Sequence, residues 1–315
     1  MIRAGQIDSR SKVFSPSGLN DSRRVAIISG SADLESAIES WVGLTVAAVF
    51  SAEDIMDITG ARLAVGLMPD QSAAVHTDTR TLPEGAWFVA LPGKKYDGHD
   101  FLGDAFSEGA IGCIVGERSG YAIASTSFPL LAVVDPLEAL AKLAKHWLQR
   151  VSPKVMLIMV NRSEQRCTAG KICYDDLQVK HRTEYLRLAN QDLGAVLNAV
   201  LDVSEPAEVL IVELSPTSFD HISKALSTLD PDLLVIAKDG YDHFRMSCSQ
   251  QEFNAGLNAT FSWLDPDKCT LIMATSAQDV LIRSDEFSGK KVIHDQDEHS
   301  EDPDIWAAGK ACELI

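Results

Sequence analysis

LLAVVDPLEALAKLAKHWLQRVSPKVMLIMV, residues 130–160, reads as strand, helix and strand. LLAVVD is a short apolar run of the length that forms a buried strand. Asp135 is placed to cap a helix and Pro136 to fill its first turn, where a missing N–H leaves nothing unpaired. Leu137, Leu140, Ala141, Ala144, Trp147 and Leu148 recur at helical spacing, which predicts a helix over 136–150. The Ser–Pro pair at 152–153 ends it, and the apolar run Val155–Val160 predicts the next strand.

The same alternation extends in both directions. VAIIS (25–29), LTVAAVF (44–50), WFVALPG (87–93) and GCIVGE (112–117) come before, and EVLIVEL (208–214), DLLVIA (232–237) and CTLIMA (269–274) come after. Strand-length apolar runs separated by helix-length segments predict an α/β protein with mostly parallel sheets. A length of 315 residues suits two domains. We expect a flexible arm over 1–24, a first domain over 25–150 and a second over 151–315, with the boundary where the long helix stops.

Composition narrows the function. Hydrophobic residues at 46% and charged residues at 23% fit a folded protein and not a disordered one. With 28 Lys and Arg against 45 Asp and Glu, the net charge of −17 has the wrong sign for a general binder of nucleic acid or anionic membrane. The six cysteines, Cys113, Cys167, Cys173, Cys248, Cys269 and Cys312, form no CxxC pair, which argues against a zinc site or a disulfide framework. A reducing compartment, cytoplasmic or stroma-like, is the expectation, and no apolar run reaches the ~18 residues of a membrane span. DQDEHSEDPD, 295–304, with six acids in ten positions, reads as a solvated acidic segment. Cys167 and Cys173, five residues apart in one loop, read as two free thiols and not as a redox pair.

Residues 78–112, DTRTLPEGAWFVALPGKKYDGHDFLGDAFSEGAIG, closely resemble the N-terminal domain of MurF-type Mur ligases. The shared pattern is an Asp-Ser/Thr-Arg triplet, a Pro-x-Gly turn, the strand FVAL, a glycine, DGHDF and a helix ending in Gly-Ala. The resemblance continues through LAVVDPLEALAKLAKHWLQR (131–150) and begins upstream at FSAEDIMDITGARLAVG (50–66). More weakly, NQDLGAVLNAVLDV (190–203), EVLIVELS (208–215) and LLVIAKDGYDHFRMSCS (233–249) resemble the family's ATP-binding central domain. The family joins D-Ala-D-Ala to UDP-MurNAc-tripeptide at the expense of ATP. The resemblance therefore implies uridine nucleotide-sugar contacts at Thr79, Arg80, Asp97, Gly98 and His99, with Arg80 offering a planar fork and Gly98 a close backbone approach. It also implies metal-associated positions at Glu213 and His243, and a phosphate-loop remnant at Gly170 and Lys171.

The chain departs from the family where nucleotide chemistry is done. The family's T-G-S-x-G-K-T-T becomes VNRSEQRCTAGKICYDD, with Glu164 and Arg166 in the loop and Ile172 where a hydroxyl should hold Mg²⁺. The family's loop asparagine is Lys238, its carbamylated lysine falls on Leu257, and its adenine-side Asn-x-Asp-Asp falls on Met273, Ala274, Thr275 and Ser276. The C-terminal ligase domain is expected to be absent, because the sequence stops near where the central domain should end. These losses imply a MurF-like pseudoenzyme that acts as a binding or scaffold subunit, with no catalytic residues, no cofactor, and a protein partner or larger complex. Two alternatives stand beside it: an active MurF-type ligase using ATP and Mg²⁺, and a non-catalytic sensor of a UDP-sugar peptide.

Overall fold

In the computed structural model, residues 12–14, 26–28, 47–93, 95–117, 128–160, 169–188, 192–215, 218–237, 249, 255–256, 259–273, 287–293 and 303–315 are described. Residues 1–46 form a unit of their own, in which β1 (Lys12–Phe14) pairs antiparallel with β2 (Ala26–Ile28). The predicted strand VAIIS thus pairs locally with a strand inside the segment 1–24.

The unit from residue 47 onward holds two sheets. The first comprises β3 (Arg62–Val65), β4 (Val75–His76), β5 (Trp87–Val89), β6 (Gly112–Gly116) and β7 (Leu130–Val133), in the order β3-β7-β6-β5-β4. β4 to β7 run parallel and β3 is antiparallel to β7. The second comprises β8 (Lys154–Met159), β9 (Thr183–Leu188), β10 (Val209–Leu214), β11 (Leu233–Ile236), β12 (Thr270–Met273) and β13 (Lys291–Ile293). Its order is β13-β12-β11-β8-β10-β9, and every pairing is parallel. β10 is buried at all six positions, as expected of a parallel strand covered on both faces.

Helix α1 (Ala52–Thr59) starts on a capping box between Ser51 and Asp54 and stops at Gly60 in the left-handed conformation. Next come α2 (Leu102–Ser107), α3 (Pro136–Val151), α4 (Ala169–Leu177), α5 (Leu193–Leu201), α6 (Phe219–Leu229) and α7 (Pro303–Glu313). The helix predicted over 136–150 is α3. Asp135 accepts from the N–H groups of Leu137 and Glu138, Pro136 sits in the first turn, and Ser152 closes the helix at φ 52°.

α3 is where the two sheets meet. Leu140, Leu143, Ala144 and Trp147 are buried in one apolar cluster that holds Val89, Ile114 and Leu131 of the first sheet and Leu157, Leu210 and Leu234 of the second. Trp147 Nε1 donates to the carbonyl of Val203 at 2.9 Å, and the N–H of Ala48 donates to the carbonyl of Leu201 at 2.9 Å. α3, α5 and α6 border this cluster, whereas α4 and α7 cover the other face of the second sheet in a separate cluster with Met156, Ile158 and Ile211.

Of the predicted strand LTVAAVF only residues 47–50 are described, and among them there is a single bridge, from Phe50 to Ala73; Ala48 and Phe50 are drawn into the core and Val49 between them faces outward. Five of the described strands, β1, β3, β4, β9 and β13, escape the apolar-run criterion. β1, β4 and β13 have three, two and three residues, β3 opens on Arg62, and β9, TEYLRL, is a half-exposed edge strand with alternating polarity.

Candidate functional site

In parallel α/β sheets ligands bind beyond the carboxyl ends of the strands. Both groups of candidate residues lie at such edges. In the first sheet the triplet Asp78-Thr79-Arg80 follows β4, and the turn Asp97-Gly98-His99 follows the neighbouring β5.

Asp78 caps the short 3₁₀ turn Thr79–Thr81 through the N–H of Arg80, and the Arg80 guanidinium folds back on the same carboxylate, Nε to Oδ1 at 2.9 Å. That side-chain hydrogen bond holds the Asp78 carboxyl below its ordinary range. The Arg80 side chain is 86% exposed, so its fork can swing to another anion at little cost in desolvation.

The DGH turn is built differently. Asp97 Oδ1 accepts from the N–H of His99 at 3.0 Å and from His99 Nδ1 at 2.6 Å. His99 Nε2 accepts from the N–H of Gly116, at the end of β6, at 2.9 Å. An imidazole that accepts at Nε2 carries its proton on Nδ1, so the geometry selects the neutral tautomer donating to Asp97. His99 is buried and clips the turn to the sheet edge. Gly98 donates its N–H to Leu91 at 2.9 Å, and a Cβ there would stand 2.6 Å from the Leu91 nitrogen. The close approach that glycine permits at this position is to the chain's own backbone.

This arrangement has a pH consequence. The His99 backbone N–H holds the Asp97 carboxyl below the usual carboxylate range. A depressed folded pKa contributes stability that is fully present above the unfolded value, about 4, and is lost as pH falls through the folded one. Melting curves of the wild type and Asp97→Asn should therefore differ at pH 7 and converge towards pH 3. A pH-independent difference would show that the carboxylate charge plays no part.

In the second sheet, Gly170 and Lys171 stand in the first turn of α4, and Glu213 lies near the end of β10, in register with Ile158 of β8 and Arg187 of β9. Glu213 is fully buried, and the hydroxyl of Tyr185 on β9 donates to its Oε2. A Cβ at Gly170 would lie 2.5 Å from that same oxygen and 2.9 Å from Tyr185 Cε2, so the helix start, the carboxylate and the phenol are packed together. Lys171 Nζ pairs with Asp175 one turn further along α4 and lies 5.6 Å from the centre of the Tyr174 ring. Tyr174 and Tyr185, with Thr183, Glu184 and Leu186, line an open cleft of about 370 Å³.

Tyr185 is the residue that the sequence reading missed. Its signal was the period-two pattern of TEYLRL, which places Tyr185 on the α4 face and Leu186 and Leu188 on the other. His243, Lys238, Leu257, Ala274, Thr275, Ser276, the loop 161–168 and most of the acidic segment 295–304 lie outside the described residues. Met273 is buried within β12.

Two α/β layers joined by one helix, the second a fully parallel sheet, define the architecture. Residues 72–148 match the family model described as Mur ligase family, catalytic domain. UDP-N-acetylmuramoyl-tripeptide–D-alanyl-D-alanine ligase of Bacillus subtilis is 29% identical over 172 residues, covering 54% of this chain and 36% of that protein. UDP-N-acetylmuramoyl-L-alanyl-D-glutamate–2,6-diaminopimelate ligase of Chlorobaculum tepidum is 36% identical over 124 residues, 38% of this chain and 24% of that one. Among solved structures, MurF from Acinetobacter baumannii superposes with a TM-score of 0.67 at 18% identity, covering 79% of this chain and 54% of that one. MurF from Thermotoga maritima in complex with ADP superposes at 0.56 and 19% identity, covering 70% and 50%. Residues 72–148 thus match the Mur ligase family model, and the chain is MurF-like in fold; it spans about a third to a half of the length of these MurF relatives.

ATP and Mg²⁺, which the family resemblance implies for the second edge, fit the described donors poorly. Lys171, in the first turn of α4, points along its own helix to Asp175. Glu213 is sealed against Tyr185 and Gly170, and Ile172 offers no oxygen to a hard cation.

Proposed function

We propose that this chain is a MurF-like pseudoenzyme, a protein that keeps the Mur ligase fold, has given up ATP-dependent ligation, and serves as a binding or scaffold subunit. The observation that carries this reading is the packing of Glu213, Tyr185 and Gly170 into one closed contact, with Lys171 paired to Asp175. A ligase needs that carboxylate for its metal and that lysine for phosphate, each free to meet a ligand at the moment of reaction. Here the Oε2 of the carboxylate is held by Tyr185, and Lys171 is drawn to Asp175 in an exposed pair that binds it only weakly.

The first sheet supports a second reading of the same protein. Its Arg80 is exposed at a strand edge and its DGH turn is held rigidly, so a UDP-sugar peptide of peptidoglycan synthesis remains a ligand that Thr79, Arg80 and Asp97 could contact. A protein partner is the further expectation, as befits a scaffold.

Calorimetric titration of the full chain with ATP·Mg²⁺ and, separately, with UDP-MurNAc-tripeptide tests both readings. The expected result is no measurable heat with ATP·Mg²⁺ up to millimolar concentration. Micromolar ATP binding, with turnover on addition of D-Ala-D-Ala, would overturn the pseudoenzyme reading. Binding of the UDP-sugar alone, weakened at least tenfold by Arg80→Ala, would assign a sensor role to the first sheet.

A further inference from the structure

The second face of the six-stranded sheet holds a pair of thiols that neither reading uses. Cys173 lies in α4 and Cys312 in α7, 139 positions apart in sequence, on two helices that pack directly together. Cys173 is fully buried, and its Sγ lies 3.6 Å from the carbonyl oxygen of Ala308. In a helix that carbonyl points towards the residue four positions on, which here is Cys312. Cys312 packs against the same apolar cluster from its partly exposed rim.

We propose that Cys173 and Cys312 are the site of a reversible disulfide that ties α7 to α4. The co-reactant is a small-molecule disulfide of the glutathione class. The Cys312 thiolate, reachable from solvent, attacks one sulfur of that disulfide and expels the other as a thiolate, leaving a mixed disulfide on Cys312. The Cys173 thiol then gives up its proton and attacks the Cys312 sulfur, expelling the second small thiol. Two protein thiols are oxidised by two electrons, and one external disulfide is reduced to two thiols. Cys312 is partly exposed and Cys173 fully buried, so entry is at Cys312 and resolution at Cys173. Cys113 and Cys269 are buried elsewhere, and burial pushes the Cys269 thiol up to about 12, which makes both slow spectators. The bond would fasten the last helix to the helix that opens the second sheet's ligand edge, independently of whether ATP binds there.

The test is oxidation of the full-length protein with oxidised glutathione, quenching by acid, alkylation, and peptide mass spectrometry without reduction. The expected result is a cross-linked peptide joining Cys173 to Cys312, two fewer alkylatable thiols per chain, and full reversal by dithiothreitol. Cys312→Ser, at the partly exposed position, should keep its fold by circular dichroism and abolish the cross-link. A stable glutathione adduct on Cys312 with Cys173 still reduced, a cross-link from Cys167 to Cys173, or no reaction would each overturn the proposal.

Discussion

Gly98→Ala should destabilise the protein by about 2–3 kcal/mol, the upper part of the range for inserting a methyl into a closed contact. The new Cβ would meet the nitrogen of Leu91 at 2.6 Å, its carbonyl oxygen at 2.8 Å and the carbonyl carbon of Ala90 at 2.9 Å. All three are backbone atoms just past β5, and backbone cannot step aside as the end of a flexible side chain can. Relief requires moving the turn, which stretches the His99 bridge between Asp97 and Gly116. Gly103→Ala is the control, because nothing lies within 4 Å of its Cβ position in α2. That change should be neutral or stabilising by a few tenths of a kcal/mol to about 1 kcal/mol, since alanine suits a helix better than glycine. Urea denaturation of both variants decides the matter, and equal midpoints would refute the close-contact account of Gly98.

Trp147→Ala is expected to cost more, about 3–5 kcal/mol, the usual range for emptying a buried aromatic site. Trp147 is 3% exposed in α3, within the cluster that both sheets share. Its loss opens a cavity between them and leaves the buried carbonyl of Val203 without the indole donor. Trp147→Phe separates these effects. It retains most of the ring's bulk and forfeits the hydrogen bond, so its cost should fall nearer 1–3 kcal/mol. Because the apolar cluster is continuous across α3, the described portion from residue 47 onward should lose both sheets in one transition. If Trp147→Ala left one sheet's signal intact while the other melted earlier, the shared core would not be a mechanical link.

The long helix and most of the buried strands could be read directly from residues. Asp135, Pro136 and the apolar stripe from Leu137 to Leu148 carry their own start, phase and end, and α3 forms as they predict. β8, β10, β11 and β12 were legible for a related reason. A strand covered on both faces is apolar at nearly every position, Glu213 of β10 being the buried exception, and such runs stand out in any context. β9 was not legible, because an edge strand is half exposed and its alternating residues resemble a polar linker. In LTVAAVF the described Ala48 and Phe50 are drawn into the core with a single bridge, since apolarity records burial without recording strand pairing.

The candidate sites divide in the same way. The triplet at 78–80 and the turn at 97–99 were singled out by their resemblance to the MurF-type pattern, and each forms a local, self-capped turn. What the pattern could not reveal is that His99 spends both ring nitrogens inside the chain, since its partner Gly116 comes seventeen residues later on another strand. Nor could it reveal that Glu213, Tyr185 and Gly170 close on one another, or that Cys173 and Cys312 share one apolar cluster. Hydrophobic period and capping chemistry act over a few residues, so the sequence by itself determined the α/β class, the long helix and the two turns. Strand order, the helix shared by two sheets and the choice of partner for each buried polar group are contacts between distant segments. Only the tertiary structure decided those, because their energy arises when packing excludes water from both partners at once.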